Sequence, residues 1–172
     1  MDDLEGFVAA RGPALRRFAY LLCGDVHRAD DLVQSTLAGV VRHWPRVSGM
    51  EHREAYVRQV LVREHLSWWR RRASTEVVSA DLPERSSGQA DFTTTAVERD
   101  AAWQLLATLP PRQRTVLVLR FYEDLDDAAV AAVLGTTEST VRSNAARGLA
   151  TLRRALAVPA PAGPPPFRKV LP

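Results

Sequence analysis

Cysteine occurs once in this 172-residue chain, as Cys23, so no internal disulfide framework can form. The four histidines, His27, His43, His52 and His65, lack metal-ligand spacing, and with no second cysteine they argue against a structural zinc site. Long apolar runs are missing too: stretches such as Ala128–Leu134 fall far short of a bilayer span. The opening Met1-Asp2-Asp3-Leu4-Glu5 has none of the basic character that starts a secretory signal. Nothing has the form of a nucleotide-binding glycine loop or a catalytic triad. These absences predict a soluble cytoplasmic protein with no direct membrane insertion, no metal, no cofactor and no catalysis of its own.

What remains is apolar enough to fold. Hydrophobic residues make up 46% of the chain and charged residues 25%, the balance of a packed protein. The formal charge of +3 hides a segregation of sign. Residues 1–75 and 101–157 are each mildly basic, 76–100 are acidic, and the tail adds Arg168 and Lys169. Lys169 is the only basic residue that is not arginine. Arginine's rigid fork suits phosphates and guanine edges, although an arginine-rich coding bias would leave the same trace.

Apolar residues recur at intervals of three and four and nowhere alternate at period two over any length, which predicts an all-α fold. Leu4, Phe7 and Val8 begin the pattern, and Leu15, Phe18, Ala19, Leu22 and Cys23 continue it beyond Pro13. Gly24-Asp25 reads as a stop and restart. Val26, Ala29, Val33, Leu37, Val40, Val41 and Trp44 follow until Pro45 ends the run. Val47–Arg53 reads as a loop. Tyr56, Val57, Val60 and Leu61 lead to Trp68, Trp69 and the triplet Arg70-Arg71-Arg72. Serine, threonine, proline and acidic residues then predict a flexible acidic linker over 76–95. Helical spacing returns for a second domain, 96–158. Pro111 is placed to start a helix, Val116, Leu117, Leu119 and Phe121 form a short apolar helix, and two more helices cover Asp126–Leu134 and Glu138–Val158. Residues 159–172, rich in proline, predict a disordered tail.

The sharpest motif lies at the junction of those last two helices. Ala128, Ala129 and Ala132 would let a second helix approach closely, Gly135 supplies the left-handed residue that ends the first, and Thr137 can accept the free amide of Thr140. Val130, Leu134, Val141, Ala145, Leu149 and Leu152 would form the buried seam. Such a helix-turn-helix presents the start of its second helix to the major groove. Thr137, Ser139, Thr140 and Ser143 offer hydroxyls for phosphates. Glu138 offers a carboxylate for cytosine, and Arg142 and Arg147 offer donors for guanine or backbone. A helical hairpin with solvated arginines shares part of this pattern, but the cap, glycine, alanines and arginines in one register favour duplex DNA.

Taken together, these pieces resemble the extracytoplasmic-function group of bacterial sigma factors, in the sigma-70 family. Leu109-Pro110-Pro111-Arg112-Gln113-Arg114 with Val116–Tyr122 resembles the entry to the family's region 4, and Thr140-Val141-Arg142-Ser143 with Arg147–Arg153 resembles its recognition helix. Ala29-Asp30-Asp31-Leu32-Val33-Gln34 resembles the acidic-Leu-Val-Gln signature of region 2. The resemblance spans about residues 5–157 and implies two helical domains, 1–75 and 96–158, with core RNA polymerase and promoter DNA as partners.

The same resemblance assigns roles. Asp30, Asp31, Leu32 and Gln34 would grip the clamp helices of the β′ subunit, and the second domain would meet the β flap. Tyr56, Arg58, Arg63, Glu64, His65, Trp68, Arg70, Arg71 and Arg72 would capture and melt the downstream promoter element, with a specificity turn near Val62–His65. Arg63 stands where the commonest family pattern has Asn. At least one of Trp68 and Trp69 should be core, and Cys23 a small buried hydrophobe. The resemblance also implies an anti-sigma factor as a possible partner, and nucleoid association within the holoenzyme. A stand-alone regulator binding operator DNA through the helix-turn-helix is the rival reading; a hydrolase on a helical scaffold is a remote one.

Overall fold

A computed structural model describes residues 4–75, 101 and 103–157. The expected linker 76–95 and tail 159–172 lie outside the described residues. Every regular element among the described residues is helical.

Helix α1 (Leu4–Cys23) runs through Pro13, which sits on the exposed side, where a missing amide donor costs least. Its buried stripe, Phe7, Leu15, Phe18, Ala19, Leu22 and Cys23, has helical spacing. The chain reverses at Gly24, whose φ of +75° is reachable without a Cβ penalty. Asp25 then caps α2 (Val26–Val41), accepting the amide of Arg28 at 2.8 Å. The α2 run ends at Val41, earlier than the expected stop at Pro45, and Trp44 and Pro45 instead open a separate single turn, α3 (Trp44–Val47).

Helix α4 extends unbroken from Arg53 to Thr75. This corrects the turn expected near Val62–His65. Val57, Leu61, Val62 and His65 are all buried at helical spacing, so the segment is a core stripe and not a loop. The non-helical stretch of this domain lies earlier, between α3 and α4.

In the second block a short helical stretch, α5 (103–107), precedes α6 (Pro111–Leu117), which opens on Pro111 as expected. The apolar helix does not stay α-helical: Val118–Tyr122 is a π-helical turn, with the Glu123 amide reaching the Val118 carbonyl at 3.2 Å. Asp124 follows at φ +53°. Asp126 caps α7 (Asp127–Leu134) through the amide of Ala129 at 2.7 Å, Gly135 closes it at φ +61°, and α8 (Glu138–Ala157) follows. The expected seam is present, with Val130, Val141 and Ala145 buried and Leu134, Leu149 and Leu152 packed against them. Gly148 lets α8 close on α6, since a Cβ there would stand 3.0 Å from Leu117 Cδ1.

The buried residues of both blocks form one continuous cluster. The blocks meet where α1 and α4 pack on α6 and α7.

Candidate nucleic-acid and polymerase interfaces

The recognition surface of the second block is built by local bonds. Thr137 Oγ1 accepts the Thr140 amide at 3.2 Å, which is the cap expected for α8. Thr137, Glu138, Ser139, Arg142, Ser143 and Arg147 are exposed around the helix start, and Thr140 is half-buried beside them. Arg142 is held by Glu138 Oε2 at 3.2 Å and reaches Asp127 Oδ2 at 3.9 Å; Arg147 Nε donates to the Ser143 carbonyl at 3.2 Å. These surface pairs contribute little to stability but restrict the rotamers of the side chains they hold. Asn144, absent from the sequence expectation, is half-buried and donates to the Thr140 carbonyl at 2.8 Å.

The nine residues of the first block expected to face DNA do not share one environment. Arg63 and Arg70 are exposed, Tyr56 and Arg72 are half-buried, and Arg71 is exposed with its Nη1 donating to Ser67 Oγ at 3.1 Å. Glu64 is half-buried and faces α2. Its Oε2 accepts from Ser35 Oγ at 2.8 Å and Thr36 Oγ1 at 3.1 Å, which makes it a strut between α2 and α4. His65 is 2% exposed, with Nδ1 3.7 Å from Cys23 Sγ, so it belongs to the core and is out of reach of DNA. Arg58 is bound to Glu54 at 2.6 Å within its own helix and to Glu123 of the other block.

Trp68 and Trp69 are both half-buried and meet edge to face, 5.0 Å between centroids, so neither is wholly core. The Arg28 guanidinium lies 3.8 Å from the Trp68 ring and that of Arg72 lies 5.2 Å away, so cations already stack on this ring. Sequence reasoning missed Arg28. No periodicity links it to a tryptophan forty positions on.

On α2, Asp31 and Gln34 share the outer face, while Leu32 packs against the core and Asp30 turns toward α1, meeting Arg16 Nε at 3.1 Å. The four expected docking residues are therefore adjacent in sequence but differ in setting: Asp31 and Gln34 are exposed, Asp30 is partly exposed in a surface ion pair with Arg16, and Leu32 packs against the core.

Burial sets the unusual titrations. The Cys23 thiol is pushed up to about 11 by desolvation, which outweighs the opposing charges of Arg28 and Arg114, so the small buried hydrophobe expected there is what the core contains. His65 is driven down to about 3 by desolvation, reinforced by Arg114 and Arg28. Arg114 is lowered to about 10 by burial. It compensates with three carbonyl acceptors, Leu106, Leu109 and Leu22, at 3.0, 3.0 and 3.1 Å. Glu123 is raised by burial, with Arg58 opposing. No group of three or more potential metal ligands occurs among the described residues, and no described helix is long and apolar enough to cross a membrane.

Comparison with known proteins bears on both blocks. The family model for sigma-70 region 2 matches residues 7–75, and that for sigma-70 region 4 matches residues 99–152. The RNA polymerase sigma-E factor of Streptomyces coelicolor is 36% identical over 154 residues, covering 90% of this chain and 86% of its own. The ECF RNA polymerase sigma factor SigL of Mycobacterium tuberculosis is 30% identical over 148 residues, 83% and 82% of the two chains. In fold, the sigma factor RpoE from Bartonella quintana, solved in complex with the anti-sigma factor NepR, aligns at TM-score 0.62 over 92% of this chain and 99% of that one, at 24% identity. CnrH, solved with the cytosolic domain of CnrY, aligns at TM-score 0.59 over 88% and 86%, at 20% identity.

Proposed function

Since the chain belongs to the sigma-70 family, in its extracytoplasmic-function group, we propose how its named residues divide the work of a sigma factor. The protein binds core RNA polymerase and directs promoter-specific initiation. The operator-binding regulator is not favoured, because it leaves the region 2 match over residues 7–75 without a purpose. Polymerase supplies the chemistry, and this chain supplies the address and the opening of the strands.

In this reading residues 1–75 form the polymerase-docking and melting domain and 96–158 the upstream-element domain. Asp31 and Gln34 meet the β′ clamp helices, with Leu32 and Asp30 stiffening the helix that carries them. The second domain meets the β flap. Arg142, with Glu138, Ser139, Ser143 and Arg147, reads the upstream element as duplex, and the Thr137 and Thr140 hydroxyls serve phosphates. Arg63, Arg70, Arg71 and Arg72 bind the phosphates of the downstream element, joined by Arg58, while Tyr56 and Trp68 provide stacking faces. Glu64 and His65 leave that set for structural roles. The protein acts in the cytoplasm, at the nucleoid once in the holoenzyme. An anti-sigma factor is a further partner of this reading, supported by fold relatives solved with such proteins.

The observation that carries the reading is the capped helix-turn-helix at Gly135 and Thr137 on the same chain as a region 2 bundle. Run-off transcription with bacterial core polymerase on fragmented genomic DNA from the source organism tests it. Discrete transcripts that need the protein support it; no transcripts and no association with core would sink it.

A further inference from the structure

Between α2 and α4, lined by residues of the first block alone, lies a cleft of about 470 Å3, a volume ordinary for a small-molecule site. One wall is a ready-made plate. The Arg28 guanidinium lies over the Trp68 ring at 3.8 Å and makes no hydrogen bond or ion pair with any described residue. A guanidinium so held offers a planar face for stacking and N–H donors for a ring's acceptors. The floor holds an unanswered polar atom. His65 is 2% exposed, its Nδ1 is 3.7 Å from Cys23 Sγ, and its Nε2 has no hydrogen-bond partner among the described residues. A buried ring nitrogen left in this way costs free energy that a bound polar edge can recover. Whichever tautomer is present, Nε2 offers one hydrogen bond, as donor or as acceptor.

The charges around the cleft decide what fits. Arg71 stands on the α4 side, and Asp31 and Glu64 supply carboxylates. Two guanidiniums against two carboxylates leave the cleft without net charge, which disfavours a bare oxoanion or a dication. A flat heteroaromatic ring with donors and acceptors on its edges answers every one of these groups: its N–H groups suit the carboxylates, and its carbonyl or ring nitrogens suit Arg28 and His65. Two fused rings cover a guanidinium–indole plate more fully than one. We propose that this cleft binds a purine base carried by a free nucleotide, with the nucleotide's phosphate at Arg71. An unpaired DNA strand shares the chemistry of the base, but it carries a phosphate on both sides of each base, and one of them would pass the Asp31 carboxylate. A mononucleotide has a single phosphate and sets it on the arginine side. The site stands independently of the sigma-factor reading, since it needs neither polymerase nor promoter.

Titration calorimetry on the full chain tests this with the 5′-monophosphates of guanosine, adenosine and cytidine, with ribose 5-phosphate, and with a short single-stranded oligonucleotide. The expected result is saturable binding of at least one purine nucleotide, with ribose 5-phosphate and the cytidine nucleotide weaker by about tenfold or more. Two variants strike the plate separately. Arg28→Ala removes the cation and Trp68→Leu removes the ring that holds it, and each should weaken the purine nucleotide by about tenfold. Circular dichroism checks their helix content, and one folded variant suffices. Absence of saturable binding overturns the proposal, as does binding that ribose 5-phosphate or the cytidine nucleotide matches, or that a folded variant leaves unchanged. Binding of the oligonucleotide alone overturns the free nucleotide and assigns the cleft to the DNA strand.

Discussion

In the second block the arginines proposed to face DNA answer chiefly to their own helix, Arg142 to Glu138 one turn back and Arg147 to the carbonyl of Ser143. In the first block the holding is mixed: Arg71 answers to Ser67 and Arg58 to Glu54 within α4, but Arg58 also pairs with distant Glu123, and Trp68 is stacked from α2 by Arg28. A surface organised by neighbours keeps its geometry whatever the rest of the molecule does. One organised across the fold changes whenever the fold's parts move, which is what the proposed duplex-reading and strand-opening roles respectively ask of the two blocks.

The largest expected effect tests whether the outer face of the first block serves a partner rather than the fold. Asp31→Arg should lower affinity for core polymerase by two to three orders of magnitude, about 3–4 kcal/mol, while circular dichroism stays unchanged because the residue is exposed. Co-purification with core is the readout, and retained binding would remove Asp31 from the interface. Next, Gly24→Ala should cost about 2–4 kcal/mol in thermal denaturation, because a Cβ enters the Trp103 ring and φ is +75°. In a Trp103→Ala background the same change should cost only the backbone term, about 1 kcal/mol. Equal costs in the two backgrounds would mean that the cross-block contact contributes nothing.

Local organisation predicts a narrower outcome for Arg142→Ala. Selectivity for the upstream element should fall by about 1–3 kcal/mol with overall stability unchanged, measured by competition between promoter variants. Normal initiation at every promoter would displace Arg142 from the reading face. His65 gives the first block a pH signature. Its folded value of about 3 lies below the unfolded 6.5, so the unfolded chain binds the extra proton and stability falls as pH drops through that window, by about 1.4 kcal/mol per unit. Denaturant midpoints in the upper half of the window, above the range where carboxylates titrate, should show that slope, and His65→Gln should flatten it. The smallest effect is Thr137→Ala, about 1 kcal/mol of α8 stability, which amide exchange at Thr140 should report.

The same contrast explains what the sequence made legible. Gly135 and Thr137 act on their immediate neighbourhood, so reading along the chain recovers them, and the helix-turn-helix follows with its cap and its seam, whereas Ala128 and Ala132, expected to admit the second helix, are exposed. In the first block the residue types were read but not their directions. Glu64 turns toward α2 because Ser35 and Thr36 bond it there, and His65 turns into the core because the stripe of α4 continues through it. The turn expected at Val62–His65 was read from the resemblance, against a local sequence that contains no helix breaker. The π-helical turn at Val118–Tyr122 had no signal either, since an extra residue in a helix is decided by what packs around it.

The unbroken course of α4 has a mechanical meaning. At 1.5 Å per residue its Arg53–Thr75 span is a rod of about 35 Å, with Arg58 near one end and Arg70-Arg71-Arg72 near the other. No hinge divides them. A force that tilts one end must tilt the other by the same angle, so the two arginine sites move as one lever.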